Sequence, residues 1–351
     1  MPDRRVRPVA ARAGGALATA GALGLLLAGC GSKAVALDAP PARAPGPAVT
    51  TASPAPTTAT RNPLTGLPGP VKPVVAVKVD NVSTAPQSGL NDADVVYCEQ
   101  VEGGLTRLLA VFSSTTPTTV GPVRSARTSD IELLGQYGRV ALAFSGANSG
   151  VMAAVRAANL QDDAYDYLTS AYHFDKSRPA PYRFLVDTAA VLAQAPGAPA
   201  RDVGFRFGAE PASSAAHPAT PVLAATVRYP DTTITATWEA ADGTWRMSRN
   251  GAPLRQQDGK QAEARDVLIQ YVTIGMSGYS DHNGAHTPTS HTIGSGPAVL
   301  LRDGKRYDGT WSRASLSAPT VWTAAAGGSL TMAPGRVWVL LAPAGTGLAI
   351  G

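Results

Sequence analysis

The alternation of apolar and polar positions predicts interleaved strands and helices in the first part of the chain. Short apolar runs bounded by turn residues are typical of buried strands. Helix-start signals follow the runs at residues 105–112 and 140–144. The predicted strands are residues 74–80, 95–101, 105–112 and 140–144, and the predicted helices are 130–137 and 151–158. This order predicts an α+β or α/β domain, which we place at residues 62–200.

The pattern changes after the Pro- and Gly-rich stretch at residues 193–204. Short runs of β-formers separated by turns such as Asp242-Gly243 and Asp303-Gly304 then predict a smaller, mostly antiparallel β domain at residues 215–345. The predicted strands are 223–229, 233–238, 244–249, 267–274, 298–302, 309–313 and 337–341. All five Trp residues fall in this part. They are interpreted as core packing, with a carbohydrate platform as the alternative.

The predicted hairpin at residues 95–112 has a carboxylate, Glu99, on its mostly apolar face. A two-residue Gly103-Gly104 loop would set Glu99 opposite Leu108. One mostly apolar face then carries Tyr97, Glu99, Val101, Leu108 and Phe112. Because an unpaired buried carboxylate is costly, Glu99 either reaches water near a sheet edge or pairs with Arg124 or Arg127. A three-residue loop would reverse this register.

Two arginines precede the predicted helix at residue 130. Ser129 and Glu132 have the spacing of a capping box, with Ser129 as the N-cap. A helix start offers free N–H groups and partial positive charge. Arg124 and Arg127 beside it therefore predict a site for a phosphate, sulfate or carboxylate group. The alternative is that both arginines pair with nearby carboxylates.

Other charged residues extend this candidate site. The full set of anion-binding candidates is Arg124, Arg127, Arg107, Arg178, Arg183 and Glu99. Arg178 and Arg183 flank two prolines and either close over the same region or are surface charge. An acidic and aromatic patch at residues 162–172 is a solvated loop or a surface for a cation or a sugar.

Three histidines are weak candidates for a metal site. His282, His286 and His291, with Asp281, are ligand types that suit zinc. The stretch is rich in Gly, Pro and Ser, so we interpret it as a polar loop without a rigid frame for ligands. No metal site and no cofactor are predicted.

The first 61 residues have the features of an export signal followed by a tether. Residues 1–29 combine several arginines with an apolar run too short for a membrane span. They end before Cys30 in the sequence LAGC, which predicts a lipoprotein signal peptide and lipidation of Cys30. An ordinary signal peptide or an uncleaved anchor is the alternative. Residues 30–61, rich in Pro, Ala and Thr, predict an extended tether.

Composition changes this picture little. The formal net charge is +5, several of the arginines lie in the predicted signal, and no basic stripe with interleaved aromatic residues is present. A nucleic-acid partner is therefore not expected. With Cys30 lipidated, Cys98 has no partner for a disulfide and is interpreted as a buried core thiol.

Several segments resemble the successive signatures of one protein family. The segments are NPLTGLP, VVAVKVDN, APQSGLNDADVVY, VEGGLTRLLAVF, GPVRSAR, KSRPAPYRF, VLIQYV, GSGPAVLLRDGKRYDGTW and PGRVWVLL. In order and spacing they resemble the lipoprotein YerB family, also called the DUF3048 family, over about residues 62–342. The resemblance implies two domains exported on a lipid anchor and no established activity. One departure is visible, because this chain has Tyr182-Arg183 where the family usually has His-Asn after Ala-Pro.

These observations leave two classes of function. The first is a cell-envelope lipoprotein, anchored to the outer face of the cell membrane, that binds an anionic small molecule, a wall polymer or an envelope protein. The alternative is an enzyme acting on phosphate-containing precursors of wall polymers, with Arg124 and Arg127 holding the phosphate. Glu99 or Asp130 would then be the base. No Ser-His-Asp or paired-carboxylate motif supports the enzyme, and we expect the binding module.

Overall fold

A computed structural model describes residues 60–82, 85–194, 196–280 and 284–351 of the protein. The predicted signal peptide, Cys30, most of the tether and His282 lie outside the described residues. Within the described part, no helix has both the length and the apolar character needed to cross a membrane.

Strands are the main secondary structure of the described residues, and helices are few. The α-helices are α1 Thr128–Leu134, α2 Ser149–Ala157 and α3 Thr188–Gln194. The strands of the first half are β1 Val75–Asp80, β2 Val95–Gln100, β3 Thr106–Phe112, β4 Ala141–Phe144, β5 Gln161–Ala164, β6 Tyr172–Phe174 and β7 Phe184–Val186. Those of the second half are β8 Thr220–Pro221, β9 Ala224–Arg228, β10 Thr233–Glu239, β11 Thr244–Arg249, β12 Ala252–Pro253, β13 Glu263–Ala264, β14 Asp266–Ser280, β15 His286–His291, β16 Gly294–Arg302, β17 Lys305–Arg313, β18 Val321–Ala324, β19 Val337–Pro343 and β20 Leu348–Ile350.

One large mixed sheet runs through both halves of the chain. Its strand order is β18-β17-β16-β14-β19-β2-β3-β1-β4-β5, with β15 paired to β14 and β8 paired to β17. Strand β19 lies parallel to β2, so the C-terminal strands extend the N-terminal sheet directly. A second sheet has the order β12-β11-β10-β9-β20, with β13 on β11, and β6 with β7 forms a two-stranded ribbon.

The two faces of the large sheet are covered differently. Alternation in β1 points Val75, Val77 and Val79 toward the core shared with the second sheet and α3. The intervening positions face the other core, which contains residues of α1 and α2. Lys78 and Asp80 therefore lie on the helix-covered face, although both are buried.

The predicted hairpin forms, but the predicted register is wrong. Glu102–Gly104 make a three-residue turn, and the Val101 N–H donates to the Leu105 carbonyl. Glu99 is consequently opposite Arg107, and Tyr97 is opposite Leu109. The one-residue shift places Leu108 and Phe112 on the face away from Tyr97 and Glu99.

Both expectations for Glu99 are also wrong. Strand β2 lies between β19 and β3 in the interior of the sheet, and the Glu99 side chain is fully buried. It pairs with Lys78 instead of Arg124 or Arg127. The cation that pairs with Glu99 is therefore Lys78, which lies within the apolar run of β1 and not in the arginine turn.

The helix α1 begins two residues earlier than the capping box predicted. Arg127 is its N-cap, and the Asp130 carboxylate accepts the Arg127 backbone N–H at 2.7 Å. The Ser129 hydroxyl instead accepts the Ser290 N–H, and the Glu132 carboxylate accepts the N–H groups of Thr292 and Ile293. The two predicted capping residues thus dock α1 onto β15.

Candidate functional site

An open cleft of about 940 Å³ lies where the parallel strands β1, β4 and β5 end. Its lining residues are Val82, Val101, Glu102, Gly103, Leu105, Arg107, Arg124, Ser125, Arg127, Ser145, Gly146, Ala147, Asn148, Asp166, Ser280 and Ala285. The turn after β2, Ser280 at the end of β14 and Ala285 just before β15 supply the other walls. Ligands of open sheets bind preferentially outside the carboxyl ends of such strands.

Arg107 enters the cleft from β3 with much of its hydrogen-bonding capacity unused. The residue is 9% exposed, and its Nη1 donates to the Ser125 carbonyl at 3.1 Å. Its Nε is buried without a hydrogen-bond partner. Burial, followed by the positive charges of Arg127 and Arg124, lowers the pKa of Arg107 to about 10. An anion in the cleft would supply both the missing acceptor and the missing negative charge.

Arg124 is held loosely. Its Nη1 lies 3.6 Å from an Asp80 carboxylate oxygen, beyond hydrogen-bond distance, and its side chain is 18% exposed. The guanidinium carbon lies 5.5 Å from the centre of the Tyr182 ring, within cation–π distance. Arg124 is therefore positioned by an aromatic ring and a nearby charge, with donors left for a ligand.

Arg127 is paired more completely than Arg124. Its Nε and Nη2 donate to one Glu102 oxygen at 3.0 and 2.7 Å, and its Nη1 donates to the Ala126 carbonyl. The other Glu102 oxygen accepts from the Thr287 hydroxyl. Burial raises the pKa of Glu102, but these hydrogen bonds and the Arg127 charge outweigh it, and the net shift is downward. The predicted local pairing thus applies fully to Arg127.

A buried ionic cluster lies beneath the arginines. Lys78 Nζ donates to Glu99 and, at 2.7 Å, to Asp130, and all three side chains are inaccessible to solvent. Burial and the neighbouring Asp130 charge raise the pKa of Glu99 to about 7, although Lys78 opposes the shift. The cluster ties β1, β2 and α1 together directly behind the arginines.

The wall opposite Glu102 comes from the loop that joins β4 to α2. Residues 145–148 border the cleft, and Asn148 caps α2 by accepting the Val151 N–H at 2.9 Å. Gly146 has φ +107°, and a Cβ at this position would meet open space. Because the N-terminus of α2 begins at Asn148 on the border of the cleft, its partial positive charge adds to the field of the three arginines.

The remaining predicted residues do not reach this cleft. Arg178 is buried and donates to Asp175, the Pro86 carbonyl, Ser88 and Gln257. Arg183 is exposed and donates to the Arg178 carbonyl. Of the six anion-binding candidates, the structure brings together Arg107, Arg124 and Arg127, with Glu99 buried behind them.

The histidine-containing stretch is partly a strand, not a polar loop. His286 and His291 are the two ends of β15, roughly 17 Å apart at the usual rise of an extended chain. They also point to opposite faces, so they cannot share one ion. Among the described residues, no group of three or more His, Cys, Asp or Glu side chains is placed to hold a metal.

Sequence reasoning missed Lys78 and the cleft walls formed by residues 145–148, Ser280 and Ala285. Lys78 had a usable signal, because it is the one charged residue within an otherwise apolar run at 74–79. A charge at such a position is retained only with a partner. The wall at Ser280 and Ala285 had no local signal, since β15, which follows Ala285, is held by contacts of Thr287 and Thr289 with residues 185 and 161 positions away.

Comparison with known proteins identifies related chains in Bacillus subtilis. A segment of 56 residues is 52% identical to the "Putative lipoprotein YerB" of Bacillus subtilis (strain 168), covering 16% of this chain and only 17% of that protein. The crystal structure of the YerB protein from Bacillus subtilis superposes with a TM-score of 0.67 at 20% identity. That match covers 83% of this chain and 99% of the other, which shows a shared fold.

Two family descriptions match the chain in succession. Residues 64–201 match the "Protein of unknown function (DUF3048) N-terminal domain", and residues 225–339 match the "Protein of unknown function (DUF3048) C-terminal domain". Together they cover well over half of the chain, in the expected order, and the protein belongs to the DUF3048 family.

Proposed function

We propose that this protein is a cell-envelope lipoprotein that binds an anionic ligand in the arginine-lined cleft. The observation that carries the proposal is Arg107, whose buried Nε has no hydrogen-bond partner and whose charge is crowded by two further arginines. A phosphate or carboxylate group accepts several N–H donors at once, so it would satisfy Arg107 and Arg124 together.

The dimensions of the cleft support a ligand more than a docked protein surface. A concave site of about 940 Å³ is at the upper end of the range typical of small-molecule sites. Glu102 and Asp166 also line it, so the excess positive charge is modest and favours a ligand with few charges. An envelope protein partner would need a docking surface, and the concave cleft does not provide evidence for one.

No observation favours the enzyme alternative. The two carboxylates considered as bases, Glu99 and Asp130, are fully buried and bonded to Lys78. A general base must come within hydrogen-bond reach of the proton it removes. We therefore propose binding without assigning a reaction.

The anchoring part of the proposal rests on the LAGC sequence before Cys30 and on the lipoprotein name of the related Bacillus protein. Two acyl chains on a diacylglyceryl group would hold the protein stably at a membrane. The wild type is expected to incorporate labelled palmitate, and Cys30→Ser is expected not to incorporate it. Labelling of both proteins, or of neither, would contradict a lipid anchor at Cys30.

Calorimetric titration of full-length protein with inorganic pyrophosphate tests the site. Binding is expected at low ionic strength, with a loss of at least about tenfold in Arg107→Gln, because a charge-assisted hydrogen bond is removed. Arg206→Gln, at an exposed ion pair with Asp202, is the matched control and should bind normally. Absence of binding, or equal binding by both variants, would refute the proposal.

A further inference from the structure

A cluster of aromatic rings lies beside the cleft. The Tyr165 ring contacts Tyr172, Phe174 and Phe184 with centroid distances of 5.6, 5.9 and 4.8 Å. Phe174 and Phe184 are opposite each other on β6 and β7, with centroids 4.4 Å apart. We call Tyr165, Phe174, Tyr182 and Phe184 the aromatic surface.

The aromatic surface is open to solvent at Phe174, and its other three rings are partly covered. Phe174 is 48% exposed, which is unusual for a Phe, and Tyr165, Tyr182 and Phe184 are partly buried. Strands β6 and β7 form a ribbon of their own that no further strand extends among the described residues. Large exposed rings that contact one another mark a surface used for binding more often than a scattered apolar residue does.

The ribbon and the arginine segment are joined through their backbones. The Val123 N–H donates to the Phe184 carbonyl at 2.8 Å, and Val120 and Val186 exchange two hydrogen bonds. Arg124 follows Val123 directly, and its guanidinium lies over the Tyr182 ring. The aromatic surface thus begins at Tyr182, whose ring contacts Arg124 of the cleft, and continues to Phe184 on β7.

We propose that the ligand of the cleft is an acidic glycan, whose charged group is held by the arginines and whose sugar rings stack on the aromatic surface. This inference rests on the proposed function and names its ligand class. The acidic glycans meant here share one chemistry, which is a pyranose chain bearing a phosphate or carboxylate group.

The chemistry of both partners fits this assignment. Sugar rings present apolar C–H faces, which pack against aromatic faces, and hydroxyl groups at their edges. The Asp166 carboxylate, which lines the cleft, and the phenols of Tyr165 and Tyr182 on the aromatic surface can hydrogen-bond those hydroxyls. A cleft of about 940 Å³ is far larger than a bare phosphate needs, so part of its volume is left for rings.

Binding of four probes to the full-length protein tests the inference. The probes are a galacturonic acid hexasaccharide, a mannose hexasaccharide with one 6-phosphate, neutral chitohexaose and inorganic pyrophosphate. At least one acidic glycan is expected to bind about tenfold or more tighter than pyrophosphate and chitohexaose, because only it engages both surfaces. The stronger acidic probe distinguishes carboxylate from phosphate.

Phe174→Ala separates the aromatic surface from the cleft. It should weaken the acidic glycan about tenfold and leave pyrophosphate binding unchanged, because Phe174 does not line the cleft. Phe174→Tyr should restore glycan binding. The control is Tyr167→Ala, an exposed ring that packs on Arg156 outside the aromatic surface. Thermal unfolding of each variant monitors the fold.

The outcomes distinguish the two proposals. If pyrophosphate binds through Arg107 but no acidic glycan binds more tightly, or Phe174→Ala has no effect, the glycan assignment is wrong and the anion site stands. If chitohexaose binds as well as the acidic probes, the assignment is also wrong. If neither pyrophosphate nor any glycan binds, both proposals fail.

Discussion

Glu99 and Arg107 are opposite each other on β2 and β3, yet the Glu99 carboxylate takes its hydrogen bond from Lys78. Lys78 reaches both Glu99 and Asp130, so one buried cation compensates two carboxylates. Arg107, which lines the cleft, therefore keeps an Nε without a hydrogen-bond partner. The availability of this arginine for a ligand depends on a lysine two strands away from Glu99.

Removal of Lys78 should destabilise the fold strongly. Lys78→Met is expected to lower the free energy of unfolding by about 3–5 kcal/mol, because it leaves two buried carboxylates without their cation. Urea denaturation followed by circular dichroism measures the change. The double variant Lys78→Met with Glu99→Gln should recover part of the loss, and a single-variant loss below about 1 kcal/mol would contradict the buried pairing.

Asp266 should make the protein less stable as the pH rises. Burial raises the pKa of Asp266 to about 8, whereas Asp in an unfolded chain titrates near 3.9. Between these values the folded state binds more protons than the unfolded state, so the free energy of unfolding falls with increasing pH. Glu99 and Asp163, with pKa values raised to about 7, contribute with the same sign.

The variant Asp266→Asn isolates this contribution. Asparagine stays neutral, so the variant should match the wild type near pH 4 and be about 1–3 kcal/mol more stable at pH 9. Denaturation at the two pH values measures the difference. Asp258→Asn, at an exposed position, should show no such pH dependence. An equal change at both pH values would mean that Asp266 acts through packing alone.

Glu102 should limit the anion affinity of the cleft. Its carboxylate holds Arg127 and offsets that positive charge, so Glu102→Gln is expected to tighten pyrophosphate binding by about fivefold. Titration calorimetry at low salt measures the change. Glu239→Gln, exposed and outside the cleft, is the control. Weaker binding in Glu102→Gln would instead show that Glu102 is needed to orient Arg127.

Glu132 should contribute to stability by joining α1 to the end of β15. One carboxylate oxygen accepts the N–H groups of Thr292 and Ile293, and Thr292 is almost fully buried. Glu132→Ala is expected to cost about 2 kcal/mol, because a buried N–H loses its acceptor. Glu132→Gln keeps an acceptor and should cost less. Equal losses in denaturation experiments would point to charge instead of hydrogen bonding.

Local patterns predicted most elements of the fold. The strands near residues 74–80, 140–144 and 244–249 were predicted to within a residue or so. The β15 strand was missed because Gly, Pro and Ser residues around it suggest a loop. Its strand form depends on pairing with β14 and on contacts with α1.

The candidate site was predicted only in part. Arg124 and Arg127 were selected because they precede a helix, and Arg107 was included as one of the further charged residues that extend the site. The sequence could not show that Arg127 is satisfied by Glu102 while Arg107 is not. That difference depends on side-chain geometry at the turn after β2, where one residue more than predicted reverses every side chain on the strand.

The order of apolar and turn residues alone determined most of the strands and helices, because those preferences act over only a few neighbouring residues. The tertiary structure decided the hairpin register, the burial of Glu99 against Lys78 and Asp130, and the insertion of β19 beside β2. The last two features join residues 21 to more than 240 positions apart, and only the packed sheet brings them within contact distance.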